Sequence, residues 1–304
     1  MTRTSEKCPT VSVVMSVFGN CEDLQVTVES VLSQDHEDFE LILIDDGNAE
    51  TARAEIARIA EADRRIRLLV NEKNIGLTRS LIKGCGAARG EFIARIDCGD
   101  LMSPRSRLST QLRCLRDDPA VGLVSGGIEM WDLLNMKRWR SRLKTRSHEE
   151  ICSRPRYVSW ADHPTVMFRK STYEAAGGYN PDWVVGQDTE LWPRMAEHGH
   201  IVSLPEVFAV RTLKPDSISV ARNSAQVRGK IKRMKRLGQM SAARRCVLTL
   251  REYLKLLVPM RQRLNTRHRL AMEYVGPVPP AIGQSLERIS QAYFSDNLEV
   301  SRQT

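Results

Sequence analysis

The chain has 304 residues, which suits one large domain or a domain with an appendage. A hydrophobic content of 41% excludes a chain that is disordered as a whole. The net charge of +9 is unevenly distributed: residues 220–275 hold 15 Lys and Arg against 2 Asp and Glu, an excess of +13, so the remainder carries −4. Attraction to anionic partners is therefore expected only from the C-terminal third.

Cysteine usage and hydropathy indicate the cellular compartment in which the protein is expected. Seven cysteines are scattered without the paired spacing of a zinc site, and an odd number is typical of reduced thiols. The first ten residues lack the apolar core of a signal peptide, and no apolar run reaches about 18 residues. We therefore expect a cytoplasmic protein without a cleaved export signal, a membrane-spanning helix or structural zinc.

The first hundred residues alternate predicted strands and helices. VSVVMSV at 11–17 is an uncharged, β-branched run, which is typical of a strand covered on both faces. FELILIDDG at 39–47 predicts a second buried strand that ends in two aspartates and a glycine. Helices are also predicted near 24–32, 51–62 and 78–88, and strands near 66–71 and 92–96. This alternation predicts an α/β fold with a mostly parallel, twisted sheet and helices on both faces.

The middle of the chain continues with mixed elements. Helices are predicted at 105–118, after Arg169 and after Gly186, and strands at 121–131, 165–169 and 201–212. The polar, basic stretch 137–156 is expected to run over the surface. We place a main domain at 1–220, with halves at about 10–120 and 121–220, and a helical extension at 221–304.

The extension contains a predicted basic amphipathic helix at 241–258. Such a helix is typical of proteins that bind an anionic membrane surface, although it could equally pack on the main domain or contact another subunit. Its apolar residues recur at helical spacing: Cys246, Val247, Leu250, Tyr253, Leu254 and Leu257.

EFIARIDCGDLMSP at 91–104 runs an apolar strand directly into two carboxylates, Asp97 and Asp100. Gly99 and Pro104 predict that the strand breaks there into a loop. The carboxylates therefore follow the carboxyl end of a strand, which is the edge where open α/β sheets bind ligands.

Several stretches, taken in order, resemble the family 2 inverting glycosyltransferases of the GT-A fold, which build bacterial polysaccharides and lipid-linked glycans. The resemblance covers about residues 10–215, and the ordered combination is more specific than any single stretch. The stretches are VSVVMSVFGNCEDLQVTVESVLSQ, FELILIDDG, NEKNIGLTRSL, GAARGEFIARID, HPTVMFRKS, AAGGY and GQDTELWPR.

The resemblance implies a nucleotide-sugar site. Asp46 matches the family's uracil-contacting carboxylate, and Phe18 stands where the family often has a tyrosine near the base. Gly19 replaces a common asparagine, so a side-chain hydrogen bond to the base is lost there.

The resemblance also implies a divalent cation, Mn²⁺ or Mg²⁺, held by the family's Asp-x-Asp motif. This chain has Asp97-Cys98-Gly99-Asp100, with glycine where the family commonly supplies a metal-ligating carboxylate. Two interpretations follow. Either Asp100 turns inward and ligates the metal while Asp97 lies near the ribose and phosphates, or metal binding is weak and basic residues such as Arg79 or Arg95 neutralise the diphosphate.

A catalytic base must deprotonate the acceptor hydroxyl in direct displacement. GQDTELW resembles the family's Glu-Asp segment with Gln187 in the place of the glutamate, so the resemblance implies this role for Asp188, with Asp182 and Glu190 as alternates. Asp188 could instead be a helix N-cap. His163 matches a His-Pro pair of the family and could act as a base, orient the acceptor or be purely structural. Three tryptophans could stack on sugars, but core packing is the favoured role for each: Trp160, Trp183 and Trp192.

The resemblance implies an enzyme that transfers a hexose from a nucleotide sugar, expected to be UDP-linked, with inversion, to a hydroxyl of a glycan or lipid-linked glycan in surface polysaccharide biosynthesis. We expect it on the inner face of the cytoplasmic membrane as a peripheral protein. One alternative is a catalytically impaired relative that only binds the nucleotide sugar. Another is a nucleic-acid-binding protein that uses the basic tail, but no nucleic-acid motif accompanies the charges, and no nucleic-acid partner is expected.

Overall fold

The computed structural model describes residues 8–19, 22–156, 158–214, 228–229, 231–232, 234–236, 241–254, 272–279 and 285–300. Within these residues ten strands form one mixed sheet. The strands are β1 (Val11–Val17), β2 (Phe39–Asp45), β3 (Ile66–Val70), β4 (Phe92–Arg95), β5 (Asp100–Met102), β6 (Val121–Asp132), β7 (Lys137–Ser141), β8 (Met167–Arg169), β9 (His200–Leu213) and β10 (Met272–Pro277).

The described helices follow the predicted alternation. They are α1 (Leu24–Leu32), α2 (Glu50–Glu61), α3 (Leu77–Ala87), α4 (Arg107–Asp117), α5 (His148–Cys152), α6 (Lys170–Ala175), α7 (Gln187–Met195), α8 (Ala242–Leu254) and α9 (Leu286–Val300). A short 3-10 helix, His163–Thr165, precedes β8.

The N-terminal half of the sheet is parallel, with β1 between β2 and β4 and with β3 outside β2. Val17 lies opposite Asp45, and Val14 lies opposite Arg95. Because parallel strands end at the same edge, the residues that follow β1, β2 and β4 share one rim. These residues include three of the predicted site residues: Phe18, Asp46 and Asp97.

The second half of the sheet is mixed. β8 pairs antiparallel with β4 and β6, while the long β6 also pairs antiparallel with β7 and parallel with β9. β5 lies antiparallel beside β9. The mostly parallel arrangement predicted from the sequence therefore applies to β1–β4.

Two local expectations were wrong. Residues 100–102 form β5 rather than a loop, because Leu101 and Met102 are fully buried and Asp100 pairs with a residue of β9. The stretch 137–156 contains β7 and α5 rather than only a surface excursion. β7 buries Trp139 while its neighbours are partly exposed, and Ser147 and Glu150 form a capping box at α5.

The extension is not purely helical. β10 joins the sheet at β7, where the Tyr274 ring lies edge-on to Trp139 with centroids 5.4 Å apart. α9 packs its Leu286, Ile289 and Tyr293 against core side chains of β5, β6 and β9. The division at 220/221 stays a prediction.

α8 confirms the helix expected in 241–258 as far as Leu254, and residues 255–258 lie outside the described residues. Among the helices of the described segments, none is both long and apolar enough to cross a membrane.

Candidate active site

The two acidic residues that follow β4 are in contact with an arginine of β9. Asp100 and Arg211 are directly opposite each other in the β5–β9 pair. Arg211 Nε lies 3.1 Å and Nη2 2.9 Å from Asp100 Oδ2, and Nη2 is also 3.2 Å from Asp97 Oδ2. One guanidinium therefore bridges both carboxylates of the predicted metal motif.

A second arginine, Arg95, also binds Asp97. Arg95 is fully buried; its Nη2 donates to Asp97 Oδ1 at 2.8 Å and its Nη1 donates to the carbonyl oxygen of Val14. Arg107, also fully buried, donates to the carbonyl oxygens of Arg95 and Phe208 at 2.9 and 2.8 Å. These bonds fix the strand end from which Asp97 projects.

The charges in this cluster respond to burial and to each other. Burial would raise the pKa of Asp97, but Arg95 and Arg211 outweigh it and hold that pKa below its usual value. For Asp100, burial dominates over Arg211 and raises the pKa to about 6. Burial lowers the pKa of Arg211, but the two carboxylates outweigh this and raise it, so Arg211 is charged.

The residues present do not fit a divalent cation. Hard cations such as Mn²⁺ and Mg²⁺ need several oxygen ligands, and Asp97 and Asp100 are both already bound by Arg211. No cluster of three or more His, Cys, Asp or Glu suited to a metal occurs within the described residues. Gly99 has φ +91, a conformation that an aspartate rarely adopts, so the family's carboxylate could not be restored there without strain.

His163 lies beside this cluster but its ring is engaged. Its Nε2 is 2.7 Å from the hydroxyl oxygen of Tyr179 and 3.4 Å from Nε of Arg95. Arg95 can only donate, so Nε2 accepts and the proton of the neutral ring lies on Nδ1. Burial and Arg95 lower the pKa of His163 to about 4, although Asp97 and Asp188 act in the opposite direction. Of the roles left open, this geometry favours a positioning role over that of a base.

Asp188 stands in the first turn of α7, close enough to His163 for the two side chains to interact electrostatically. The N-cap of α7 is Gly186 and no side chain caps the helix, so Asp188 does not serve as the N-cap. The Asp188 carboxylate is half-buried, and its hydrogen bonds are long ones from the hydroxyls of Ser159 (3.5 Å) and Thr189 (3.4 Å). No ion pair joins it to another described residue. It is therefore a carboxylate with free acceptor capacity near the charged rim.

The two alternates to Asp188 differ in environment. Glu190 is buried and bound by Arg194 at 2.7 Å, so its charge is already satisfied. Asp182 is exposed and lies in the loop before α7.

Asp46 is nearly fully buried at the end of β2. Its Oδ1 accepts hydrogen bonds from Asn71 Nδ2 at 2.9 Å and from the backbone of Ile75 at 3.0 Å, and its Oδ2 accepts from the backbone of Gly76 at 3.0 Å. Asp46 thereby shapes the turn that leads into α3. Its contact with the base stays a prediction.

The remaining predicted residues divide into two exposed side chains and three buried tryptophans. Phe18 is 53% exposed just after β1, which leaves its ring accessible to a planar ligand. Arg79 is exposed in the first turn of α3 and makes no hydrogen bond or ion pair to a described residue. The tryptophans expected to pack in the core do so: Trp160, Trp183 and Trp192 are all buried.

Sequence reasoning missed Arg211 and Tyr179 as site residues. Arg211 carried a usable signal, since it is a charged residue within the apolar run VFAVRTL, and such a residue requires a partner when the strand is buried. Tyr179 lies in AAGGY, one of the stretches that resemble the family, but nothing in that stretch singles out its hydroxyl as the partner of His163.

Comparison with known proteins identifies the family. Residues 12–175, more than half of the chain, match the model for Glycosyl transferase family 2, and the chain belongs to this family. The putative glycosyltransferase EpsE of Bacillus subtilis is 33% identical over 195 residues, which cover 63% of this chain and 68% of EpsE. The amylovoran biosynthesis glycosyltransferase AmsE of Erwinia amylovora is 28% identical over 203 residues, 65% of this chain and 74% of AmsE.

A solved structure supports the fold. The mannosyltransferase PcManGT from Pyrobaculum calidifontis, in complex with GDP-Man and Mn²⁺, matches with a TM-score of 0.57 at 17% identity, over 97% of this chain and 81% of PcManGT. The GT-A fold and the assignment as a glycosyltransferase, both expected from the sequence motifs, are thus confirmed.

Proposed function

We propose that this protein is an inverting glycosyltransferase that moves a sugar from a UDP-linked donor to a hydroxyl of a glycan or lipid-linked glycan in surface polysaccharide biosynthesis. The observation that carries the proposal is Asp188, a half-buried carboxylate without an ion pair to a described residue, next to the charged rim. The name of the relative AmsE, an amylovoran biosynthesis enzyme, supports the polysaccharide context.

The donor occupies the rim at the ends of β1, β2 and β4. Phe18 stacks on the base, while Asp46 holds the turn at 71–76 against it and can offer its carboxylate to the ring imide. Arg79 and the cluster around Asp97 and Asp100 face the diphosphate. This placement follows the general rule that ligands of α/β sheets bind beyond the carboxyl ends of the strands.

Transfer then takes place in one displacement. The acceptor oxygen attacks the anomeric carbon as its proton passes to Asp188, and the bond from that carbon to the phosphate oxygen breaks. The electron pair leaves with the nucleoside diphosphate, so configuration at the anomeric carbon inverts. His163 is held in place by its hydrogen bond with Tyr179 and remains neutral, so it acts as a positioning residue beside Asp188 and takes no proton.

The protein meets its lipid-linked acceptor at a membrane surface to which α8 attaches. α8 exposes three large apolar side chains among the described residues: Val247 (67%), Leu250 (61%) and Leu254 (51%). Together with the basic composition of 220–275, this favours peripheral attachment to an anionic bilayer surface, where a lipid-linked acceptor resides.

The full-length protein would be tested against a panel of UDP- and GDP-sugars by thermal stabilisation and by release of the nucleoside diphosphate. Stabilisation with release, and an inverted product on an acceptor, supports the proposal. Stabilisation without any release indicates the impaired, binding-only relative instead. Absence of stabilisation by every nucleotide sugar contradicts both.

A further inference from the structure

We propose that Arg211 takes the place of the divalent cation in this protein, so that the diphosphate of the donor binds to its guanidinium and donor binding needs no metal. The inference rests on the proposed function, because it concerns how that site holds its nucleotide sugar.

The first argument is the position of the guanidinium. Asp97 and Asp100 are the carboxylates that would hold a cation, and Arg211 lies between them with nitrogen–oxygen distances of 2.9 to 3.3 Å. The position is set by the sheet: Arg211 is the direct cross-strand partner of Asp100 and also lies opposite Met130 of β6. Pairing with a strand on each side fixes the backbone of β9 at this residue, and the bonds to Asp97 and Asp100 then hold the guanidinium between the two carboxylates.

The second argument is the unused donor capacity of Arg211. Its Nε and Nη2 bind the two carboxylates, whereas Nη1 makes no hydrogen bond to a described residue. The side chain is 26% exposed, unlike that of Arg95, which is fully buried. A planar guanidinium binds phosphate oxygens through N–H groups that are not already engaged, and it keeps its charge at every relevant pH.

The third argument is the charge of the cluster. Arg95 and Arg211 together carry two positive charges against the two of Asp97 and Asp100, which is the formal balance that one divalent cation on two carboxylates would give. The leaving diphosphate needs fixed positive charge close to the breaking bond, and a preorganised guanidinium in a partly buried site supplies it. Glycine at position 99 is consistent with this arrangement, because a third carboxylate there would have no cation to bind.

The decisive experiment uses the unaltered full-length protein. Affinities for UDP and for GDP are measured by calorimetry in buffer with EDTA and in buffer with Mn²⁺ or Mg²⁺. We expect the affinity for whichever nucleotide binds to agree within about twofold between the two buffers. An affinity at least about tenfold tighter with metal overturns the inference but leaves the proposed function in place. Absence of binding in both buffers overturns both.

Variants of Arg211 then test whether this side chain is responsible for nucleotide binding in the absence of metal. Arg211→Gln should weaken UDP or GDP binding in EDTA by about tenfold or more, and Arg211→Lys, which keeps the charge, should recover part of it. Uridine or guanosine, which lack the diphosphate, should bind Arg211→Gln as they bind the unaltered protein. Unchanged diphosphate affinity in Arg211→Gln would overturn the inference.

The matched control is Arg140→Gln. Arg140 also binds a buried carboxylate, Glu129, at 2.8 Å. Arg140 is the cross-strand partner of Glu129, and Arg211 is the cross-strand partner of Met130. Cross-strand partners point to the same face of a sheet, whereas consecutive residues of β6 point to opposite faces. Arg140 therefore lies on the other face, and its loss should leave nucleotide affinity unchanged. If Arg211→Gln fails to fold, Arg211→Lys and the metal comparison on the unaltered protein still decide the matter.

Discussion

Tyr179 and His163 form a buried hydrogen bond, 2.7 Å between the phenol oxygen and ring nitrogen Nε2. The same nitrogen faces Nε of Arg95, so the lone pair that a base would use is enclosed by donors. The sequence left His163 open as a base, an orienting group or a structural residue, and this geometry favours a neutral support. Our proposal therefore assigns proton transfer to Asp188. This distribution of roles leads to measurable consequences.

We predict that His163 remains uncharged from about pH 5 to pH 8, because burial and Arg95 lower its pKa to about 4. The measurement is a pH titration of histidine ring resonances by NMR in protein with labelled histidine. His163→Gln identifies the resonance by its disappearance. A His163 signal that titrates near the ordinary histidine value would contradict the assignment of a neutral ring.

Asp188→Asn should leave the affinity for the donor within about twofold and lower the turnover number by about 100-fold or more, since general bases contribute on the order of 10² to 10⁴. The change is nearly isosteric and removes only the proton acceptor. Asp182→Asn, which alters an exposed carboxylate of the preceding loop, serves as the control and should retain full turnover. Equal losses in both variants would refute the role of Asp188.

Glu40 should make the fold sensitive to acid. Burial raises the pKa of Glu40, but hydrogen bonds from Arg67, Ser12 and the backbone of Arg89 outweigh it and hold the pKa below 4.5. Such a carboxylate stabilises the folded state above pH 4.5, and that contribution is lost as the pH falls through the lower pKa of the folded protein.

Glu40→Gln should therefore lower the free energy of unfolding by about 1–3 kcal/mol near neutral pH, and the difference from the unaltered protein should shrink as the pH falls below 4.5. Urea unfolding at several pH values measures this. Glu61→Gln, a change in an exposed glutamate at the end of α2, should show no such pattern. A difference that is constant with pH would argue against the ionic role of Glu40.

Val247→Asp combined with Leu250→Asp should reduce binding of the full-length protein to anionic vesicles by about tenfold or more, because both side chains are exposed apolar groups of α8. Flotation with anionic and with neutral vesicles measures the effect. Met136→Asp changes another exposed apolar residue, in the turn between β6 and β7, and should not alter binding. Undiminished flotation of the double variant would rule out α8 as the attachment site.

Much of the fold could be read from local patterns. The uncharged runs at 11–17 and 39–45 became β1 and β2, and the helices at 50–61 and 77–87 lie within one residue of expectation, because burial on both faces and helical periodicity leave a direct mark on neighbouring residues. β10 could not be predicted, because its pairing with β7 depends on residues more than a hundred positions earlier.

The sequence alone determined the family, the order of strands and helices in the first half, and the placement of Asp97 and Asp188 at element ends, since all of these depend on short-range patterns. Only the tertiary structure decided what the acidic pair binds. Asp100 and Arg211 are separated by 111 residues, and the antiparallel pairing of β5 with β9 brings them into contact. The register of β5 against β9 places Arg211 opposite Asp100. The partner of this carboxylate is therefore set by strand pairing across the fold and could not be read from the motif around Asp97 and Asp100.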